Sequence, residues 1–101
     1  MSPVIAEHAT AVAELCRRHG ALRLELFGSA ASGTDDVHSD LDFLVEFRPL
    51  PEGAYADAYF GLLEGLEALF HRPVDLVAAS AIRNRYFRQS VDRTKTLLYA
   101  A

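Results

Sequence analysis

Asp40 and Asp42 open an apolar run, Asp40-Leu41-Asp42-Phe43-Leu44-Val45-Glu46-Phe47, and no other feature constrains the fold as much. In an extended chain, side chains two residues apart share a face. The two carboxylates then stand side by side, while Leu41 and Phe43 point the other way into a core. Neighbouring carboxylates repel each other, which is costly unless a cation stands between them. A hard divalent ion such as magnesium relieves that repulsion, and it prefers carboxylate oxygens together with phosphate oxygens. A bare Asp-x-Asp is more often a pair of solvated acids at the start of a strand, so other residues must carry the reading.

The rest of the chain supplies a sheet and its covering helices. Ser2-Pro3 is a good cap and first turn and Gly20 a good stop, with Ile5, Val12, Leu15 and Cys16 on one face between them; this predicts a helix over 3–19. The period then changes to two, as Leu22, Leu24 and Leu26 alternate with Arg23 and Glu25 to make a first strand with one buried face. Phe27 to Gly33 reads as a turn and short helix, Thr34 to Ser39 as a polar loop, and 40–47 as the second strand, closed by Pro49 and Pro51. Apolar side chains at helical spacing predict a helix over 54–71, which Gly61 and Gly65 weaken without abolishing. A third strand follows at 73–78, then a helix over 81–92 capped by Ser80, then a short edge strand at 97–99. This order gives an α/β (α+β) fold, a small mixed sheet flanked by helices, in a single domain over 1–101.

Two features join the aspartates. Gly28-Ser29 follows the first strand directly. A glycine there lets the backbone approach a phosphate closely, and the Ser29 hydroxyl and the amides that follow can donate hydrogen bonds. Alone, the pair is also a common turn. Asp75 is an acid inside the apolar run from Val74 to Ala78. An aspartate in a strand needs a partner. A metal shared with Asp40 and Asp42 is one; an ion pair or a position at a sheet edge is another.

Charge and composition set limits. Fourteen acidic against ten basic side chains leave a net charge of -4, which gives no overall attraction for a nucleic-acid backbone. The single cysteine, Cys16, excludes an intrachain disulfide. The N-terminus lacks the basic start and apolar run of a signal peptide. No apolar stretch approaches the roughly 20 residues of a membrane span. The expectation is a soluble cytoplasmic protein without a membrane partner. Arg83, Arg85, Arg88, Arg93 and Lys95 make the C-terminal stretch basic, which reads as a solvated helix face or as a contact for triphosphate or an acidic surface.

Taken together, Gly28-Ser29, ten intervening residues 30–39, and Asp40-Leu41-Asp42 resemble the signature of the DNA polymerase beta-like nucleotidyltransferase superfamily. The apolar strands around both motifs fit its setting, and Asp75 matches the family's third carboxylate on a later strand. The short chain is similar to the minimal, antitoxin-type branch (MNT or MntA). The resemblance implies two magnesium ions on Asp40, Asp42 and Asp75, ATP held through Gly28 and Ser29, and the three aspartates as catalytic residues. It further implies transfer of AMP to a tyrosine of a cognate HEPN-type toxin, which silences that toxin. His38 departs from the pattern, since relatives often carry a cation there. The alternatives are a non-catalytic antitoxin that neutralises its toxin by covering it, and a small-molecule nucleotidyltransferase, which needs an added domain or a dimer to shape its acceptor pocket.

Overall fold

The computed structural model describes residues 3–34 and 39–101. Helix α1 (Pro3–Glu7) and helix α2 (Ala9–His19) precede strand β1 (Ala21–Phe27) and the short helix α3 (Gly28–Ser32). Strand β2 (Leu41–Phe47), helix α4 (Ala54–Phe70) and strand β3 (Val74–Ala78) follow. A 3-10 turn (Ala79–Ala81), helix α5 (Arg85–Thr94) and strand β4 (Thr96–Ala100) complete the chain. The four strands form one mixed sheet in the order β3-β2-β1-β4, with β1 antiparallel to both neighbours and β2 parallel to β3. This is the small mixed sheet with flanking helices that the sequence predicts.

The larger core lies between the sheet and α2 and α4. Leu24 and Leu26 of β1 and Leu41, Phe43 and Val45 of β2 meet Val12 and Cys16 of α2 and Leu62, Leu66 and Phe70 of α4, all buried. Burial pushes the Cys16 thiol up to about 12, so it stays protonated and packs as a small apolar side chain. Helices α2 and α4 approach closely because two glycines face α2. A Cβ on Gly61 would stand 2.5 Å from Cε1 of His19, and one on Gly65 would stand 2.7 Å from Cδ2 of Leu15. The glycines that weaken α4 as a helix are thus the contact that seats it. The opposite face of the sheet carries a smaller cluster, Phe27, Leu44 and Val91, under α5.

The structure departs from the sequence reading in four places. The first helix breaks at His8. Its ring Nδ1 takes the carbonyl of Val4 at 2.7 Å, the partner its own amide would use in a continuous helix, and that amide turns to Ile5 O instead. The last helix starts at Arg85, not 81, because Asn84 is the cap: its side chain accepts from the amides of Tyr86 and Phe87. Glu25, expected on a solvated face, is buried, with Arg23 Nε at 3.3 Å and Lys95 Nζ at 3.8 Å. Leu22, expected in the core, is 37% exposed, beside a register shift between Ala21 and Arg23. Ser2 as a cap, and most of the polar loop including His38, lie outside the described residues.

Strand β3 is a sheet edge, and α4 covers part of it. Pro73 O accepts from Leu41 N, so alternate residues from 73 face β2 and those between face outward. Two of the outward groups are taken by α4: Val74 N–H by Glu67 and Leu76 C=O by the Tyr59 hydroxyl. An edge engaged in this way is a poor template for another strand.

Candidate nucleotide and metal site

The three aspartates come together at one end of the sheet. Asp40 immediately precedes β2, Asp42 is its second residue, and Asp75 is the register partner of Asp42 across the parallel pair. Leu41 and Phe43 are fully buried on the core side, so parity sends Asp42 to the other face, the one that carries Leu44 and Phe27. Asp40 and Asp75 are exposed and Asp42 is half-buried. The entry to β2 is held from the turn between α4 and β3. The Arg72 guanidinium donates to Ser39 O through Nε at 3.1 Å and Nη2 at 2.8 Å, and Leu41 N–H donates to Pro73 O at 3.0 Å.

Burial pushes the Asp42 carboxyl above the usual carboxylate range, and the charges of Asp75 and then Asp40 push it further the same way. Asp75 is felt on its other side too. The Tyr59 hydroxyl is raised, first by its own burial and next by the Asp75 charge. Three carboxylates in a row over adjacent strands, repelling one another, are a donor set that suits a hard divalent cation. Among the described residues, no group of three His, Cys, Asp or Glu side chains is already placed to hold a metal ion.

Gly28 stands against this row. It follows Phe27, the β1 partner of Asp42, and turns the chain with φ 72. A Cβ at Gly28 would lie 2.5 Å from Oδ2 of Asp42. Only glycine fits both the left-handed backbone and the close carboxylate. Ser29 is the second residue of α3, whose end is closed by Gly33 in the left-handed region with its N–H on Ser29 O. The site therefore reads across the sheet as the Gly28-Ser29 turn beyond β1, Asp42 on β2 and Asp75 on β3.

Sequence reasoning singled out the three aspartates, Gly28 and Ser29, and the structure brings all five to one end of the sheet. It missed Arg72, Tyr59 and Thr94. Arg72 had a local signal, since it precedes Pro73 in the turn that leads into β3. Thr94 had none: its Oγ1 accepts from Gly28 N–H at 3.1 Å across 66 residues of chain.

Comparison with known proteins bears on this arrangement. The sequence pattern of the nucleotidyltransferase domain family matches residues 9–97, and the chain belongs to that family. Within it the chain stands with the minimal, MntA-type members. It is 37% identical to the protein adenylyltransferase MntA of Thermococcus cleftensis over 71 residues, which is 70% of this chain and 69% of that protein. A Methanocaldococcus jannaschii protein assigned as a protein adenylyltransferase is 35% identical over 69 residues, 68% of each. A solved structure described as a minimal nucleotidyltransferase superposes with a TM-score of 0.75 at 37% identity, covering 90% of this chain and 89% of that one. A chain in a toxin-antitoxin complex solved with AMP-PNP, 23% identical and covering 92% of this chain and 73% of its own, shares the fold at a TM-score of 0.71.

Proposed function

We propose that this nucleotidyltransferase is an antitoxin that adenylylates a partner protein, moving AMP from ATP to a tyrosine hydroxyl of a cognate HEPN-type toxin and so neutralising it. The observation that carries the reading is the pairing of Asp42 with Asp75 on the face where Gly28 lies against Asp42. The names of the relatives support the coarser part of it, adenylylation of a protein. Two magnesium ions held by Asp40, Asp42 and Asp75 would supply charge neutralisation on the triphosphate and acidify the acceptor hydroxyl.

The chain's own residues divide the remaining work. Ser29 and the amides after Gly28 hold the triphosphate; the Gly28 amide is already given to Thr94. The acceptor comes in on the Asp75 side, away from that turn. The acceptor oxygen forms a bond to the α-phosphorus, the α–β anhydride bond breaks, and pyrophosphate leaves with its electron pair. Asp75 takes the acceptor proton or orients the hydroxyl that loses it. Little covalent chemistry falls to the protein, so placement and electrostatics dominate.

The test is to incubate the chain with its cognate HEPN-type protein, ATP and magnesium, and to weigh that protein by intact mass spectrometry. A gain of one or more AMP units that Asp40→Asn abolishes supports the enzyme. Tight binding without a gain in mass would instead favour a covering antitoxin, and activity on a small alcohol or amine with none on protein would favour a small-molecule transferase.

A further inference from the structure

Gly28 lies just past the end of both β1 ladders. The last pair with β2 is Phe27 with Asp42, and the last with β4 is Leu26 with Thr96. The sheet therefore has no partner for the Gly28 amide, although this residue sets the direction of the turn that follows. The partner comes from the C-terminal residue of α5. Thr94 Oγ1 accepts from Gly28 N–H at 3.1 Å, and its own hydroxyl proton is directed back at the helix carbonyls, Ser90 O at 3.4 Å and Val91 O at 3.5 Å. That donation leaves an oxygen lone pair facing Gly28, because a hydroxyl has one proton and two acceptor positions.

Val91 is the one buried residue of α5 and packs with Phe27 and Leu44. Phe87 meets Phe27 edge to face at 5.9 Å between ring centres. Lys95, next after Thr94, reaches Glu25 at 3.8 Å and Asp92 at 3.0 Å. These contacts land on β1, on Leu44 of β2 or on α5 itself, and α5 also packs against α3, the helix that Gly28 opens, so the seat of α5 and the course of the chain out of β1 are one unit.

We infer that Thr94 is a positioning residue for the nucleotide: by holding the Gly28 amide it fixes the left-handed turn that presents Ser29 and the amides after it to the triphosphate. The inference rests on the nucleotide-binding reading of Gly28 and Ser29 above. Without the hydroxyl the turn still forms, since φ 72 suits glycine, but it samples other directions and each binding event must order it again.

The experiment compares the full chain with Thr94→Val, which keeps the shape and removes the hydroxyl, and with Thr94→Ser, which restores it. ATP with magnesium is titrated by calorimetry, and thermal melting is followed without nucleotide. The expected result is ATP binding about three- to tenfold weaker in the valine chain, the range for one neutral hydrogen bond. The serine chain should stay near the parent, at a temperature where all three are folded. Amide exchange at Gly28 should quicken in the valine chain while Leu26 stays protected. If the valine chain melts too low for titration, Thr94→Ala takes its place. A valine or alanine chain that binds ATP as tightly as the parent overturns the inference while leaving the nucleotide reading intact, and so does a loss that serine does not restore. A parent chain that binds no ATP overturns both.

Discussion

Asp42 and Asp75 face each other across the parallel strands β2 and β3, and Asp42 carries the cost of that relationship. Its carboxyl is raised by burial first, then by the charges of Asp75 and Asp40. A folded-state pKa above the unfolded one means that this group favours the fold only when protonated. Its contribution is full below the ordinary carboxylate value and is lost as the pH rises through the raised one. At neutral pH the ionised Asp42 therefore lowers the stability of the fold.

Asp42→Asn should abolish transfer and yet raise the melting temperature of the metal-free protein by a few degrees at pH 7. The gain should shrink toward pH 4, where the parent carboxyl takes up its proton. Magnesium should raise the melting temperature of the parent more than that of the variant. Melts with and without magnesium at both pH values check this. An asparagine variant less stable than the parent at pH 7 would show that the carboxylate is already compensated.

Gly28→Ala tests the other side of the same contact. An alanine at φ 72 costs roughly 1–2 kcal/mol, the usual penalty for a left-handed non-glycine residue. Its Cβ would also fall 2.5 Å from Oδ2 of Asp42. A half-exposed carboxylate relieves that clash by swinging away, so the stability loss should stay near the backbone penalty while the site is disrupted. Urea denaturation should show the modest loss and ATP titration a much larger one. Equal fractional effects on both would mean that Gly28 serves the turn alone.

The contact between α2 and α4 gives a prediction away from the site. His19 is held below its usual imidazole value by burial first and the Arg18 charge second, and its ring lies where a Gly61 Cβ would go. Its stabilising effect is full above the unfolded pKa, near 6.5, and falls as the pH drops through the depressed one. Gly61→Ala gains up to about 1 kcal/mol of helix propensity but forces the ring aside, at about 1–3 kcal/mol for overpacking. The net expectation is a loss of roughly 1 kcal/mol at pH 7.5, with a smaller further loss at pH 5.5 than the parent shows, because a displaced ring is better solvated. Urea midpoints at both pH values decide it.

Patterns written in neighbouring residues were legible from the sequence. The alternation in 40–47 places Leu41 and Phe43 in the core and Asp42 opposite, and the structure agrees. The spacing of apolar residues gives α4 within a residue at each end. What could not be read were effects decided by partners distant in the chain. Glu25 alternates as a surface residue should, yet it is buried with Arg23 and Lys95 against its carboxylate. Nothing near His8 announces that its ring will take the Val4 carbonyl and break the helix. The five candidate residues were legible because each stands out against its own neighbours in the chain; Thr94 was not, because its bond to Gly28 spans 66 residues.

Asp75 gives the sharpest separation of binding from chemistry. It sits on the edge strand, exposed, on the side of Asp42 away from the Gly28 turn. If Gly28 and Ser29 hold the triphosphate, Asp75 serves the acceptor end, where its charge already reaches the Tyr59 hydroxyl. Asp75→Asn removes the charge and keeps the size, and as an exposed strand residue it should fold as the parent does. It also removes a repulsion from Asp42, so ATP and magnesium should bind within about threefold of the parent. Turnover should fall by about two orders of magnitude or more, the scale of a lost general base or acceptor-side ligand. A group that acts only in the transition state lowers the rate without a matching loss of ground-state binding. Calorimetry for ATP and single-turnover transfer monitored by mass provide the two measurements. A parallel fall in affinity and rate would move Asp75 to the nucleotide's own metal, and an unchanged rate would leave it an acid at a sheet edge.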